Sequence, residues 1–547
     1  MTVSDLTHSS IDPVSPKINW ARIDEADNFA ETVKLYRQGK YDEASFRRFR
    51  LQHGAYGTRM TSDYAMVRVK LPAGEIYPKQ FEKLSQLSEQ YSIGSAHFST
   101  RENIQLHWVI LEDVSEIFRS LAEVGLTSRE ACGNSVRNVM CSPLSGVCCD
   151  EKFDSTPYAL ATAKFFLRNP MAQSLPRKFK FNFTCCEKHG MVRMVDVGLI
   201  PEIQQIDGSE QKGFKIFLGG GLGNKSFVGH QLEDFTPEED LLYTSIAVMR
   251  IFDRLGDRKN LARNRMRYLV NDMGWEKFQN LVLKERAIVR ATQSVVTRLK
   301  VDTTPNKIKR PLKISDETGG SAPDGYARWL KTNTIKQKQS DYRSVFITLE
   351  AGDITSNQLN ALADVIREFS SEGMARSGFV QNVALRYVHE DDLISLYSKL
   401  IQSGLAKSGA FTITTPASGG GQGIAIKRLD SNTDQQIGEI TFSNNTQDGQ
   451  AGIRVKTQGA SNTTDMHFDV NNAGTEVASA LMIDGSQGGK ISVVSREMSI
   501  QGMELRHGTF GIGNYNRRVE VSLGNYESAH VRIMAQRTNG GSCFVYW

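Results

Sequence analysis

The chain has 547 residues, 39% of them hydrophobic, and this length is enough for about two to four domains with separate cores. Its net charge of +5 is too diffuse to indicate a nucleic-acid partner, but it suits a protein that binds an acidic cofactor or small anions. There is no apolar run long enough to span a membrane and no signal-peptide pattern at residues 1–20, so we expect a cytoplasmic protein with no membrane partner.

The cysteines are concentrated in one part of the sequence. Six of the seven lie in the window 132–186, and the seventh is Cys543. An odd total with six cysteines in one short window does not indicate the disulfide framework of a secreted protein. The pairs 148–149 and 185–186 are adjacent, without the intervening residues that let two thiolates bind one metal ion. We therefore predict small buried residues or reduced thiols, and no metal site made by the cysteines alone.

In chain order, the pattern of apolar residues predicts alternating helices and strands. Residues 25–50 have helical spacing and predict two short helices, and residues 66–74 alternate apolar and polar side chains as a half-buried strand does. A helix at 79–90, a strand at 104–110 and a helix at 114–124 follow. The predicted order is therefore strand, helix, strand, helix.

The same order occurs a second time, which indicates an internal repeat. Residues 94–126 align without a gap on residues 373–405, and identical residues such as Asn103 and Asn382 fall on each other. The flanks agree as well, because a predicted strand and helix at 345–369 precede the second copy as they precede the first. We expect two half-domains of one duplicated unit to pack together.

Between the copies, residues 131–300 predict a mixed α/β domain, with helices at 158–166, 238–255 and 275–294 and strands at 178–184, 191–197 and 214–218. Residues 301–325 are a polar linker rich in Pro, Gly and Lys. The composition then changes, because residues 411–547 hold 19 of the 46 glycines. Short alternating runs there, such as GIRVKTQ, DMHFDV, ALMID and KISVV, predict small antiparallel strands.

Four basic residues stand in strand or turn contexts: Arg101, Arg137, Lys178 and Lys180. Residues two apart in a strand share a face, so Lys178 and Lys180 are expected to point the same way, with Phe179 turned to the core. Two such cations repel each other. The pair is tolerated either around a bound anion or on a solvated edge where screening is strong, and the residues alone leave both interpretations open.

The basic residues belong to a longer series of motifs. In order, these are FRRFRLQHGAYGTR (46–59), Thr100-Arg101 with Asn103, Gln105 and His107, Arg137-Asn138-Val139, LPRKFK (175–180), FLGGGLGN (217–224) and the segment 326–364 that begins YARWLKTNTIKQ. This series resembles the assimilatory nitrite and sulfite reductases over residues 1 to about 410. The resemblance implies a six-electron reduction of sulfite to sulfide, or of nitrite to ammonia, at sirohaem bridged to a 4Fe-4S cluster.

The resemblance also assigns roles to single residues. Arg101, Arg137, Lys178 and Lys180 match the family's substrate-contacting cations, which neutralise the oxyanion and, in the case of lysine, can deliver protons. The candidates for contacting sirohaem are Thr100, Asn103, Gln105, His107, Asn138, Gly219, Gly220, Gly221, Asn260, Arg263 and Arg265. A solvated helix face is the alternative for the basic run 257–267, and a dinucleotide loop is disfavoured for the glycine turn because its acidic partner is missing.

The fold implied is α+β. It comprises an N-terminal helical segment, a first ferredoxin-like half-domain, a sirohaem-binding mixed α/β domain, a linker, a second ferredoxin-like half-domain and an unrelated all-β segment, at 1–60, 61–130, 131–300, 301–325, 326–410 and 411–547. The electron donor implied is ferredoxin or a separate flavoprotein, since no flavin or nicotinamide domain is present.

The resemblance stops near Gly409. In the family the second half-repeat leads into four cluster-binding cysteines, in C-x5-C and C-x3-C arrangements, whereas this sequence has no cysteine between Cys186 and Cys543. We therefore expect that the ligands of the cluster are missing. The segment after 410 resembles repetitive β segments of phage tail fibres, which leaves a non-catalytic fusion or chimera as the alternative function.

Overall fold

The computed structural model describes residues 16–58, 63–223, 225–292, 299–306, 308–311 and 322–408, and beyond these only the strands given below for the carboxyl-terminal unit. The chain divides into two compact units, Met1–Thr414 and Thr415–Trp547. Within the described ranges, no helix is long and apolar enough to cross a membrane.

Two helices precede the first sheet, as predicted, and they are α1 (Asp24–Arg37) and α2 (Glu43–Gln52). The side chain of Asp42 caps α2, because it accepts a hydrogen bond of 2.9 Å from the backbone N–H of Ser45. Phe29 of α1 and Phe46 of α2 are fully buried in the core of the repeated unit. The N-terminal segment is thus packed onto the first half-domain.

The first copy of the repeat forms a half-domain of short strands around one long helix. Its elements are β1 (Ala55–Gly57), β2 (Tyr64–Lys70), β3 (Glu75–Ile76), α3 (Pro78–Tyr91), β4 (Ser95–Phe98), β5 (Asn103–Ile110) and α4 (Val114–Glu123). The predicted order of strand, helix, strand and helix is confirmed.

The middle domain is built on a mixed sheet. Its elements are β6 (Met140–Cys141), α5 (Thr156–Phe166), β7 (Phe181–Phe183), β8 (Val197–Ile206), β9 (Ser209–Leu218), β10 (His230–Gln231), β11 (Thr236–Pro237), α6 (Leu241–Leu255), α7 (Met266–Met273) and α8 (Trp275–Thr292). The strand order is β10-β9-β8-β7-β6, with β6, β7 and β8 parallel to one another and β9 antiparallel to β8. Buried Phe179, Phe181, Phe183 and Phe214 form much of its core.

Two of the strands predicted in this domain differ from the structure. The strand expected at 191–197 is wrong, since residues 192–194 form a 3-10 turn and β8 begins at Val197. This turn packs closely against the start of β8, because a Cβ on Gly198 would lie 1.9 Å from the carbonyl oxygen of Val192. The strand expected at 178–184 is shorter than predicted, so Lys178 and Lys180 both lie just before β7.

The second copy repeats the elements of the first. They are α9 (Tyr326–Asn333), β12 (Thr334–Lys336), β13 (Tyr342–Ile347), β14 (Asp353–Thr355), α10 (Ser356–Phe369), β15 (Ala375–Ser377), β16 (Val383–His389) and α11 (Leu393–Gln402). Even unusual backbone conformations recur: Glu102 and Gln381 both have positive φ, 53° and 65°, as do Trp108 and Tyr387, 58° and 53°. The duplication predicted from the alignment is confirmed.

The two half-domains are joined by exchanged strands. The first sheet has the order β1-β2-β5-β4-β14 and the second the order β12-β13-β16-β15-β3, so each sheet ends on a strand of the other copy. Ala375 of β15 pairs with Ile76 of β3, and Ser95 of β4 pairs with Thr355 of β14. Helices α3 and α10 also meet, and the Ser85 hydroxyl donates to the carbonyl oxygen of Ser356 at 2.8 Å. The copies therefore share one core.

The carboxyl-terminal unit contains antiparallel strands. A first sheet runs in chain order through β17 (Gln436–Phe442), β18 (Ala451–Gln458), β19 (Thr463–Asn472), β20 (Thr475–Asp484) and β21 (Lys490–Val493), and further pairs involve β22 (Ser499–Ile500), β23 (Met503–Glu504), β24 (Val519–Glu520), β25 (Arg532–Gln536) and β26 (Ser542–Tyr546). The four runs predicted as strands lie in β18 to β21. The expected break of the resemblance near Gly409 falls outside the described residues.

A glycine at the strand exchange provides a test of this packing. Gly74 has φ +73°, and a Cβ there would lie 2.4 Å from the carbonyl oxygen of Ser377, whereas Gly39 has φ +69° and nothing within 4 Å. We expect Gly39→Ala to lower the free energy of unfolding by about 1 kcal/mol through backbone strain. Gly74→Ala should lower it by about 2–4 kcal/mol, because the partner strand must also move. Urea unfolding of both variants measures the difference, and equal losses would contradict the close approach.

Candidate functional site

Arg101 connects the first half-domain to the middle domain. It lies in the turn between β4 and β5, and its guanidinium donates hydrogen bonds to the carbonyl oxygens of Asn138 and Phe181, at 2.8 and 2.7 Å. Burial lowers the pKa of Arg101 to about 9. Its Nε is buried and has no hydrogen-bond partner in the described part of the chain. The side chain is thus fixed at the beginnings of β6 and β7 and keeps one donor free.

Arg137 stands before β6, next to Arg101. Its Nε donates to the carbonyl oxygen of Gly133 at 3.0 Å, and its Nη1 donates to that of Ala131 at 2.9 Å. Burial lowers the pKa of Arg137 to about 10, and the neighbouring arginines lower it further. Backbone carbonyls therefore hold this guanidinium in place without neutralising its charge.

Lys178 and Lys180 complete the group of four predicted cations. Burial lowers the pKa of Lys178 to about 8, and Arg137 and Arg265 lower it further. Burial likewise lowers the pKa of Lys180 to about 7, with additional repulsion from Arg101 and Arg265. Neither ammonium group donates a hydrogen bond or forms an ion pair with any described residue. The structure therefore brings the four cations together, while their contact with substrate stays a prediction.

Arg265 is the fifth cation, and we call these five side chains the basic cluster. Arg265 forms an ion pair of 2.9 Å with the fully buried carboxylate of Asp196. The same carboxylate accepts a hydrogen bond of 3.0 Å from the backbone N–H of Lys180. The Nε of Arg265 is buried without a partner in the described ranges, as is the Nδ2 of Asn182, two residues after Lys180. Glu102 also lies near Arg101, but burial raises its pKa and favours its neutral form. Asp196 alone therefore does not balance five cations, so the basic cluster suits an anion.

Sequence reasoning missed Asp196 and Asn182. Asp196 lies within the misassigned strand at 191–197, just before β8 begins, and only the tertiary structure turns it towards Arg265. Asn182 looks like an ordinary polar residue within a strand, and nothing in its spacing marks a free donor. Glu102 was missed too: it is buried, accepts a hydrogen bond of 3.2 Å from the backbone N–H of Cys141, and burial raises its pKa well above the ordinary value.

The residues predicted on and near β5 have different surroundings. Thr100 is exposed in the turn before Arg101, and Asn103 is buried. Gln105 accepts a hydrogen bond of 3.1 Å from Arg68, and burial lowers the pKa of His107. The Nδ2 of Asn138 donates to the carbonyl oxygens of Leu71, Arg101 and Glu102, at 2.7, 3.2 and 3.0 Å. Asn138 therefore orients the Arg101 turn, and the sirohaem contacts of these residues stay predictions.

The glycine turn is explained by packing within the protein. A Cβ on Gly219 would lie 2.9 Å from Cγ2 of Val270, and one on Gly220 would lie 2.2 Å from the carbonyl oxygen of Arg193. A Cβ on Gly221 would meet the guanidinium of Arg267 at 2.8 Å. The contacts at Gly219 and Gly220 exclude a side chain without any ligand, whereas the flexible Arg267 could move away from a side chain at Gly221. Packing within the protein thus accounts for these glycines, and their contact with sirohaem stays a prediction.

The basic run 257–267 is divided between two roles. Arg265 joins the basic cluster, but Arg263 is exposed and donates to both carboxylate oxygens of Asp272, at 2.7 Å each. Asn260 is also exposed, and its Oδ1 accepts a hydrogen bond of 3.1 Å from the backbone N–H of Ala262. For Arg263 and Asn260 these contacts favour the solvated surface of the alternative interpretation, although both residues lie in the turn before α7 and not on a helix. Their contact with sirohaem stays a prediction, and none of their observed hydrogen bonds supports it.

A second group of chemically active side chains lies beyond the other end of β7. The thiol sulfurs of Cys148, Cys185 and Cys186 and the Nδ1 of His189 all lie within 4.8 Å of one another. The sequence prediction found no metal site made by the cysteines alone. It considered only the spacing between cysteines and did not consider histidine as a fourth ligand. The short spacing of Cys186 and His189, with two residues between them, was the signal that could have revealed this group.

Family models cover just over half of the chain. Residues 132–289 match the model described as "Nitrite and sulphite reductase 4Fe-4S domain". Residues 57–124 and 335–403 each match the model described as "Nitrite/Sulfite reductase ferredoxin-like half domain". The chain belongs to the nitrite/sulfite reductase family. The family consists of oxidoreductases that use sirohaem and a 4Fe-4S cluster, and the expected α+β fold with two ferredoxin-like half-domains is confirmed.

Individual relatives agree with the family assignment. "Sulfite reductase (ferredoxin) 1" of Mycolicibacterium paratuberculosis is 27% identical over 350 residues, which are 63% of this chain and 57% of that protein. "Assimilatory ferredoxin-dependent nitrite reductase" of Haloferax mediterranei is 31% identical over 278 residues, 48% of this chain and 47% of that protein. The chain thus spans about half the length of the curated relatives it matches. These matches lend no support to the alternative of a non-catalytic chimera.

A solved structure has the same fold. The structure of the Mycobacterium tuberculosis NirA protein superimposes with a TM-score of 0.55 and 22% identity, covering 70% of each chain. The likeness supports the fold of this family member.

The two cofactors of the family differ in how well the described residues fit them. The unpartnered buried donors of Arg101, Asn182 and Arg265 and the two free ammonium groups fit the carboxylates of sirohaem and a small oxyanion. The cysteines do not fit the cluster, because the family's two cysteine pairs are absent and three of the thiols lie together around one point.

The lowered pKa of Lys180 predicts a gain in stability when its charge is removed. A folded-state pKa of about 7, against 10.5 in the unfolded chain, means that the cost of burying the ammonium is fully present below pH 7. The cost disappears as the pH rises towards 10.5. We expect Lys180→Met to raise the melting midpoint by about 2–4 °C at pH 6, and by less at pH 9.

Calorimetry in chloride buffers, which lack oxyanions, measures this difference. Lys225→Met is the matched control, because Lys225 is exposed and outside the basic cluster. A midpoint gain that stays constant between pH 6 and pH 9, or a similar gain in the control, would contradict the assignment of Lys180 to a desolvated cluster.

Proposed function

We propose that residues up to about 410 bind a small oxyanion, sulfite or nitrite, next to sirohaem and act in the reductase reaction of the family. The observation that carries this proposal is the basic cluster, in which five cations converge with one carboxylate, Asp196. Such an excess of buried positive charge is costly unless an anion is bound. Sulfite and nitrite are both small oxyanions, and the same cations can bind either.

Each side chain of the basic cluster has a task that follows from its chemistry. Sirohaem, when bound, supplies the iron through which electrons reach the substrate. Arg101 and Arg137 stay charged near neutral pH and hold the oxyanion through donors fixed by backbone carbonyls. Lys178 and Lys180, with pKa values of about 8 and about 7, are able to give up a proton at neutral pH and can protonate an oxygen that leaves as water.

Ferredoxin is the proposed electron donor. Relatives from Mycolicibacterium and Haloferax carry ferredoxin in their names, and a separate flavoprotein is the alternative. The six described cysteines are free, which suits a reducing compartment, so we propose a cytoplasmic location. Neither nucleic acid nor a membrane is part of the proposal.

Oxyanion binding tests the role of the basic cluster. We expect the full chain, reconstituted with sirohaem, to change its absorption spectrum on titration with sulfite or nitrite. Lys180→Met should lower the affinity for the oxyanion at least tenfold, because a charge-assisted hydrogen bond is worth about 1.5–3 kcal/mol. With nitrite, whose charge does not change near neutral pH, affinity should also fall as the pH rises through 7 in the wild type. Lys180→Met should lose this step and keep only the fall near pH 8 that comes from Lys178. Lys225→Met is again the control, and unchanged affinity in Lys180→Met would overturn the assignment.

Turnover tests the role of the missing cluster ligands. Electron delivery in the family needs four thiolates around the cluster, and this sequence lacks the two cysteine pairs. We expect the expressed chain to contain no acid-labile sulfide and to reduce neither sulfite nor nitrite with a viologen donor. Finding about four irons and four sulfides per chain together with turnover would contradict this expectation.

A further inference from the structure

Three thiols and one imidazole meet at a single point in the middle domain. The Sγ of Cys186 lies 3.8 Å from that of Cys148 and 3.9 Å from that of Cys185. The Nδ1 of His189 lies 3.6, 3.7 and 3.2 Å from the sulfurs of Cys148, Cys185 and Cys186. Four potential ligand atoms therefore surround one small volume.

These distances match the edges of a tetrahedron around one ion. With Zn–S bonds of about 2.3 Å and Zn–N bonds of about 2.0–2.1 Å, tetrahedral geometry separates the sulfurs by about 3.8 Å and sulfur from nitrogen by about 3.5 Å. A 4Fe-4S cluster binds each thiolate on a different iron, so its ligand sulfurs lie farther apart than sulfurs around one ion. The observed spacing, all within 4.8 Å, is too small for the cluster.

We propose that Cys148, Cys185, Cys186 and His189 form a mononuclear zinc site that is separate from the cofactors of the family. Three thiolates and one imidazole are a common ligand set for structural zinc. Four protein ligands leave no open position on the ion, so the site stabilises the fold and does not catalyse a reaction.

The local backbone is arranged so that the ligands converge. Cys186 and His189 face each other across a tight turn closed by an isolated antiparallel bridge. The turn ends at Gly190, which has φ +143°, and a Cβ there would lie 2.6 Å from the Thr184 hydroxyl. Cys148 comes from the loop between β6 and α5, where its backbone N–H donates to the carbonyl oxygen of Leu144 at 2.9 Å.

The surroundings of the four ligands suit a closed site. Leu144 and Val147 pack against the buried cysteines, together with Ile335, Phe346 and Tyr387 from the second half-domain. The Ser142 hydroxyl lies 3.5 Å from the sulfur of Cys185 and can donate a hydrogen bond to the thiolate. The zinc ion would thus be shielded from water by apolar side chains on most sides.

The position of the site gives it a structural task. The loop that carries Cys148 also contacts the second half-domain: the backbone N–H of Lys338 donates to the carbonyl oxygen of Val147 at 2.9 Å, and the side-chain amide of Gln339 donates to that of Gly146 at 3.1 Å. Arg386 donates to the carbonyl oxygen of Ser145. Bound zinc would tie this loop to the end of β7, and so would hold the middle domain against the second copy.

Metal analysis of the full chain tests the site. We expect the protein, purified under reducing conditions from zinc-containing medium, to contain one zinc per chain and no acid-labile sulfide. His189→Ala and Cys186→Ser should lower the bound zinc at least tenfold. Cys149→Ser is the matched control, because Cys149 is an exposed neighbour of Cys148 outside the group. This variant should retain its zinc.

A conservative variant and a spectrum separate loss of zinc from loss of folding. His189→Cys restores four ligands and should retain zinc. Cobalt exchanged into the wild type should give the visible bands of a tetrahedral thiolate site, and these should weaken in Cys186→Ser. The proposal is overturned if the wild type binds no zinc, if zinc persists in both His189→Ala and Cys186→Ser, if the thiols instead form a Cys148–Cys186 disulfide, or if the group contains iron with sulfide.

Discussion

The excess of buried positive charge over negative charge is the constraint on which the candidate site depends. Five cations of the basic cluster share one buried carboxylate, Asp196, and the pKa of Lys180 falls to about 7 as a result of burial and repulsion. Such charges cost free energy of folding, so packing elsewhere must hold them in place. The backbone carbonyls that fix Arg101 and Arg137 do this without cancelling the charge. An anion then gains from cations that are already oriented before it binds.

The same two strands link the basic cluster to the proposed zinc site. Arg137 precedes β6 and Lys180 precedes β7, whereas Cys148 and Cys185 come after these strands. Because β6 and β7 are parallel, cations collect at one end of the pair and thiols at the other. The geometry of both sites therefore depends on the pairing of Met140 with Asn182. Zinc bound at the thiol end would restrict how far β6 and β7 can shift relative to each other at the cation end.

What the sequence predicted depended on local patterns and on the repeat. The duplication could be recognised because ungapped alignment preserves every element, down to the positive φ of Glu102 and Gln381. The grouping of Lys178 with Arg101 came from the family resemblance. The exchange of β3 and β14 between the two sheets could not be predicted, since short strands carry no sign of their partner. The convergence of Cys148 with His189 is likewise a product of tertiary structure.

The fold is duplicated but the basic cluster is not, because the two copies have different charged residues at equivalent positions. Arg101 aligns with the exposed Val380, so the second copy has no arginine where the first completes the basic cluster. Conversely, Arg376 and Arg386 align with histidines and form ion pairs of 3.1 Å with Glu75 and 2.6 Å with Glu372. A buried cation that already has a carboxylate is not available to an oxyanion. The second copy therefore uses its charges to hold the two half-domains and the middle domain together, and the first copy directs its arginine towards the anion.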